Sequence, residues 1–167
     1  RDGYKYLEDT RTQCDITIQN EVNAINEITT QIAKLNKEIV SAEAMGQPAN
    51  ELRDMRDGLL DDLAEKTQIS TYLREDGSVS VYMNGQTLVD NGTAHKLLTE
   101  KDPNNDNHLK VMWKTDNPNS KPIDMTSLMK GGTIAAQLQV RDNELKQYQS
   151  DLDALAKKMI EETNRIH

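Results

Sequence analysis

The sequence predicts an α+β fold: an elongated antiparallel helical bundle with long first and last helices, a shorter second helix, and a small antiparallel β-meander inserted between helices two and three. Three observations predict it. Ile18, Ile25, Ile32 and Ile39 recur every seven residues, with Cys14, Ile28 and Leu35 at the intermediate positions, the pattern of a narrow apolar helical seam. Leu138, Leu145, Leu152, Met159 and Ile166 repeat that spacing near the other end, with Tyr148 and Leu155 between them. Between the two seams lie the turn dipeptides Asp76-Gly77, Asn84-Gly85 and Asn91-Gly92, which favour tight hairpins.

The first helix is expected over residues 10–44 and stops at Gly46-Gln47-Pro48, where glycine suits the left-handed terminal position and proline cannot continue the helix. Asn50 then offers a cap, with Glu51 and Asp54 in the first turn favourable to the helix dipole. Leu52, Met55, Leu59 and Leu63 trace the apolar face of a second helix ending near Thr67, which returns antiparallel to the first. The opposite face, with Arg53, Asp54, Arg56, Asp57, Asp61, Asp62, Glu65 and Lys66, reads as solvated and laced by Arg53–Asp57 and Asp62–Lys66 pairs.

From Ile69 the period becomes twofold. Val79, Val81 and Met83 alternate with Ser78, Ser80 and Tyr82 between the first two turn dipeptides, the twofold period of a small antiparallel meander. Leu109, Val111 and Trp113 alternate with Lys110, Met112 and Lys114 in a further strand, with Trp113 the anchor of the sheet on the helices. The segments 102–108 and 116–122 read as exposed loops. Thr133, after Gly131-Gly132, is placed to cap a last helix that carries no stop signal before the final residue. Residues 1–68 thus form an antiparallel helix pair, 69–131 the meander and loops, and 132–167 the returning helix, all within one structural domain. Glu21, Arg141 and Glu162 interrupt the seams, as when a bundle face drifts into solvent.

Composition narrows the function. Aromatics are 4% of the chain and Phe is absent, so aliphatic side chains must supply a thin core. The formal net charge of -8 opposes nucleic-acid binding, which needs a clustered basic face. No apolar run reaches the ~20 residues of a membrane span. The single cysteine, Cys14, cannot form an internal disulfide and reads as a small buried apolar residue.

Motifs for chemistry are lacking. His95, His108 and His167 have no spacing that puts two on one helix face, and neither His-Glu-x-x-His nor Gly-x-Ser-x-Gly occurs, so no catalytic, metal or cofactor site is expected. Asp102, Asn104 and Asp106 resemble the opening of a calcium loop, but Asn107 stands where glycine is required and Trp113 where a bidentate Glu is required. Asn91-Gly92-Thr93 fits the glycosylation pattern, yet a hairpin turn explains it. Gly58, inside the second helix, costs ~1 kcal/mol relative to alanine there.

The runs Val22-Asn23-Ala24-Ile25-Asn26-Glu27-Ile28, Ile32-Ala33-Lys34-Leu35-Asn36-Lys37-Glu38-Ile39 and Asn50-Glu51-Leu52-Arg53-Asp54-Met55-Arg56-Asp57-Gly58-Leu59-Leu60 together resemble the family of the first flagellar hook-associated protein of bacteria, of the hook–filament junction. Asp76-Gly77-Ser78-Val79, Gly85 with Leu88-Val89, and the stretch from Arg141-Asp142 to Leu152-Asp153-Ala154-Leu155-Ala156 are similar to later blocks of that family. Two positions depart from it: Arg53 replaces an apolar residue, and Ala135-Ala136 replace a glycine-rich helix entry. The terminal segments that enter the flagellar axial core are not recognisable, so the sequence reads as the central fragment.

The resemblance implies a structural subunit, not an enzyme, exported by the flagellar secretion apparatus and placed extracellularly between hook and filament. Its implied partners are other axial proteins: the hook protein, neighbouring junction proteins and copies of itself in a ring. Neither nucleic acid nor membrane is a partner, and the interrupted seams predict that the isolated fragment is monomeric. The alternatives are a related axial protein such as flagellin, or a helical adaptor or secretion-tip module that binds partner helices.

Overall fold

A computed structural model describes residues 2–166, and Arg1 and His167 lie outside it. The first helix, α1, spans Asp2–Ala44, about 65 Å at ~1.5 Å per residue. It begins earlier than residue 10, where Leu7 carries its buried stripe a further turn toward the N-terminus. Gly46 takes a left-handed conformation (φ 78°), and the Gly46 and Gln47 amides donate to Glu43 and Ala42 carbonyls, closing the helix end. The second helix, α2, spans Asn50–Lys66. Ala49 rather than Asn50 stands at its cap position, with no capping side chain.

The stripe that α2 buries differs from the one its leucines suggest. Leu63 and Arg56 are its buried residues, while Leu52, Leu59 and Leu60 are half-buried and Met55 is 59% exposed. Residues 52, 56, 59, 60 and 63 share one face at helical spacing, which leaves position 55 on the flank. The anticipated solvated-face pairs are also replaced. Arg53 binds Glu43 of α1 through Nε at 2.6 Å and Nη2 at 2.8 Å, and Lys66 reaches Glu21 of α1 at 3.3 Å.

Strands β1 (Ser70–Leu73), β2 (Val79–Met83), β3 (Gln86–Asp90) and β4 (Thr93–Ala94) form an antiparallel meander in sequence order. Asn84 and Gly85 both have positive φ, 50° and 82°, the twist a two-residue hairpin needs. The strand component is larger than one meander. β5 (Leu97–Asp102), β6 (His108–Trp113) and β7 (Ile123–Asp124) form a second antiparallel sheet. Trp113 joins the two sheets, its indole Nε1 donating to the Thr87 carbonyl at 2.8 Å. Ser78 and Ser80 are fully buried, against the alternation expected for β2. Ser80 lies opposite Tyr72 in the register and accepts from Arg74 Nε at 2.8 Å, so a neighbouring side chain replaces water.

The last helix runs from Gly132 to Ile166 in three parts: α3 (Gly132–Gln139), a π-helical turn (Val140–Glu144) and α4 (Leu145–Ile166). Thr133 does not cap it. Gly131, at φ 65°, holds the cap position, and Thr133 Oγ1 donates to Glu21 at 2.6 Å. In the π turn the Leu145 amide donates to the Val140 carbonyl, a five-residue step that widens the helix and turns the following face relative to the preceding one. Ile18, Val22, Ile25, Ile32 and Ala33 of α1, Leu63 of α2, residues of both sheets, and Ile134 and Leu138 of α3 make one continuous apolar core.

Candidate functional site

The structure places the expected seam residues in two environments. Ile18, Ile25, Ile32 and Ile39 are fully buried, and Leu35, Cys14 and Leu138 are buried. Ile28 packs half-buried against the core, and Leu145 and Leu152 are half-buried. The expectation fails for the rest of α4. Tyr148, Leu155, Met159 and Ile166 are exposed, with Leu155 at 54% and Met159 at 63%; past Leu152, which lies near Gly3 of α1, no described residue buries the face that carries the last three. Burial raises the Cys14 thiol pKa, which keeps the thiol protonated and unreactive.

The chemically distinctive part of the molecule is a set of buried polar junctions between helices and sheets. In the largest, Arg11 and Arg141, both at most 1% exposed, meet carboxylates from three elements. Arg11 Nη1 binds Asp106 at 2.9 Å, its Nη2 binds Asn105 Oδ1 at 2.7 Å, and its Nε donates to the Arg141 carbonyl at 3.2 Å. Arg141 Nη1 binds Asp15 Oδ1 at 2.6 Å and the Leu109 carbonyl at 2.8 Å. Its Nε and Nη2 grip Asp142 at 2.8 and 2.9 Å, and Asn105 Nδ2 adds a further donor to Asp142 at 2.9 Å.

The local fold makes this possible. A carbonyl in a widened helical turn can accept an outside donor, and the π turn presents both the Arg141 side chain and its carbonyl to α1. Arg141 therefore enters the core as a cation bonded through all three of its nitrogens and is not a break in the seam. Burial alone would raise the Asp142 pKa, but the bonds from Arg141 and Asn105 outweigh it and hold the carboxyl below its usual range. The Arg11 hydrogen bond likewise lowers Asp106. Asp102 caps the turn at 103–105 by accepting from the Asn104 amide. Both loop aspartates that suggested calcium binding thus have protein partners, and among the described residues no group of three or more His, Cys, Asp or Glu could hold a metal.

A second junction joins both helices to the meander. Asn36 Oδ1 accepts from the Val79 amide and from Arg56 Nη1, and its Nδ2 donates to the Val79 and Asn91 carbonyls, which uses the full capacity of a buried amide. Arg56 Nη1 also donates to the Gly77 carbonyl at 2.7 Å. Its nearest partners are neutral oxygens, and burial lowers its pKa, although a guanidinium keeps its charge at any ordinary pH. At the second sheet Asn26 makes the equivalent pairing, with Oδ1 accepting from the Leu97 amide and Nδ2 donating to the Leu97 carbonyl, both at 2.9 Å.

None of these arrangements holds a nucleophile beside a general base. They hold backbone and side chains in place. The helical-domain family described as "Flagellar hook-associated protein FlgK helical domain" matches residues 1–167. The chain belongs to that family. Against the flagellar hook-associated protein 1 of Salmonella typhimurium the chain is 28% identical over 166 residues, 98% of the chain and 30% of the relative. The Escherichia coli K12 protein of the same name gives the same identity and coverage. The solved flagellar hook junction protein FlgK of Burkholderia pseudomallei superposes with a TM-score of 0.75 at 25% identity, covering 83% of this chain and 25% of that one. The chain therefore spans under a third of the length of these relatives.

The sequence holds a signal for these junctions that the apolar pattern obscures. Arg11 precedes Ile18 by seven residues, so it occupies the isoleucine row. Asp15, Val22, Thr29, Asn36 and Glu43 form a parallel heptad row, whose Asp15, Asn36 and Glu43 bind Arg141, Arg56 and Arg53. Polar residues in phase with a buried row mark buried partners as readily as they mark exposure.

Proposed function

We propose that the chain is part of a structural subunit of the bacterial flagellum at the hook–filament junction, acting by self-assembly and mechanical connection and not as an enzyme. The observation that carries this reading is the match of one helical-domain family along residues 1–167, supported by polar junctions that serve rigidity. In this reading the protein is exported by the flagellar secretion apparatus and lies outside the cell. Its partners are the hook protein, neighbouring junction proteins and copies of itself. The segments 1–68, 69–131 and 132–167 act as one unit, in which helix-to-sheet bonds pass load between the rod and the strands.

The test is genetic and direct. Ile25→Asn, placed in the full-length protein in the bacterium that makes it, is expected to leave hooks without attached filaments in electron micrographs and to release flagellin into the medium. Filaments attached at normal frequency on a strain whose protein lacks this whole domain overturn the reading.

One observation favours a second reading, a helical adaptor that binds partner helices: the exposed apolar stripe of α4. We expect the isolated chain to be monomeric, since Glu161, Glu162, Lys157 and Lys158 surround that stripe with charge. Light scattering coupled to size exclusion measures this, and a stable dimer at about 1 μM favours the adaptor.

A further inference from the structure

His108 begins β6 and is 3% exposed. Its ring lies between two carboxylates of α1, with Nδ1 2.7 Å from Asp15 Oδ2 and Nε2 2.8 Å from Glu8 Oε1. Ionised carboxylates only accept hydrogen bonds, so both contacts are satisfied together only when both ring nitrogens carry hydrogen. A neutral imidazole has one N–H and must turn a lone pair toward one of the two.

The surroundings are charged on every side. From α1 come Glu8, Asp15 and Arg11, whose Nη1 is 3.6 Å from Glu8. The β5–β6 hairpin contributes Lys101, Asp102, opposite His108 in the register, and Asp106, bound to Arg11. From the last helix come Arg141, bound to Asp15, then Asp142 and Lys146. The two carboxylates on the ring differ in how firmly they are held. Asp15 is 15% exposed and also accepts from Arg141 and from the Leu109 amide. Glu8 is 42% exposed and its remaining neighbour is the more distant Arg11.

We propose that His108 is a proton-dependent clasp: doubly protonated, it ties the N-terminal turns of α1 to β6 through Glu8, and on losing the Nε2 proton to solvent it keeps Asp15 and releases Glu8. The contact is complete while both ring nitrogens carry hydrogen and the carboxylates are ionised, and it opens at Glu8 when the ring is neutral. Release is local, because Arg141 still holds Asp15 to β6. The clasp therefore loosens the start of α1 without dissolving the core.

Hydrogen exchange and nitrogen NMR of 15N-histidine-labelled protein test it between about pH 6 and about pH 9. Amides of residues 5–12, corrected for intrinsic exchange, are expected to lose protection by about three- to tenfold across that range, with those of the Ile25 turn unchanged. In Glu8→Gln the loss is expected to vanish, since a glutamine amide can donate to the bare Nε2 as well as accept from Nε2–H. His95→Gln, a control remote from the clasp, should keep the wild-type loss. The nitrogen spectra should show both His108 ring nitrogens protonated at the acid end and Nε2 losing its proton first. A ring already neutral at the acid end overturns the proposal. So does an equal loss of protection in wild type and Glu8→Gln.

Discussion

The row of isoleucines in α1 and the row of large side chains in α4 share a seven-residue spacing and meet opposite fates. Around α1 lie α2, both sheets and α3, and Ile18, Ile25, Ile32 and Ile39 lose all contact with solvent. Around α4, past Leu152, no described element lies close enough to cover the row, and Leu155 and Met159 keep more than half their surface. A heptad row establishes one-sidedness, and only the placement of other elements establishes burial. The π turn sharpens the contrast, since a spacing counted through Val140–Glu144 does not keep Leu138 and the α4 residues on a single face.

The place where the two regions meet should be the most sensitive. Arg141→Met is expected to cost about 3–5 kcal/mol in denaturant melts, because it removes a buried cation and leaves the partly buried carboxylates of Asp15 and Asp142 without it. Arg141→Lys should recover little, since one ammonium cannot reproduce the fork that binds Asp15, Asp142 and the Leu109 carbonyl. A loss under about 1 kcal/mol for Arg141→Met would reduce the junction to the standing of a surface pair.

The rows themselves give the next largest contrast. Ile25→Asn should cost roughly 2–5 kcal/mol through lost packing and a buried amide, whereas Leu155→Asn should change stability by no more than about 0.5 kcal/mol. Equal losses in parallel melts would break the comparison. Acid should then weaken the α1 side selectively. Asp142 and Asp106 have depressed folded values, so their contribution is complete above the ordinary carboxylate range near pH ~4 and is lost as pH falls through their lowered values. Melts taken at successively lower pH should show a steeper loss in wild type than in the double variant Asp106→Asn, Asp142→Asn. The smallest effect is expected at Lys37→Ala, within about 0.5 kcal/mol, since this exposed side chain only rests its stem over the turn at Gly92.

The apolar rows, the helix stop at Gly46 and the hairpin dipeptides were legible because each is a local rule written over a few residues. What the sequence concealed depends on partners far along the chain. Arg56 reads as solvated among its charged neighbours, and only the Asn36 amide and the Gly77 carbonyl, 20 and 21 residues away, make its burial tolerable. His108 has no motif of its own because its two partners lie 93 and 100 residues upstream. The second sheet is only partly legible because β5, Leu97–Asp102, has Leu97 as its one buried residue and lacks the alternation that marks β2 and β6. Met55 joins the predicted face of α2 only because apolar residues alone are counted, although the Arg56 position fits the helical stripe as well as any of them.

Asn26 and Asn36 act as keys against sliding. Each amide docks on both the N–H and the C=O of a single strand residue, Leu97 and Val79, and the two asparagines stand ten residues apart on one rod, about 15 Å at ~1.5 Å per residue. Apolar packing resists separation of helix and sheet but tolerates slip along their common direction, since greasy surfaces have no preferred register. Hydrogen bonds do not share that tolerance, and an axial offset of one residue, about 1.5 Å, breaks both dockings at once. A pull along α1 is therefore opposed at two fixed stations, one on each sheet, and the rod and its strands move as a single stiff body under shear.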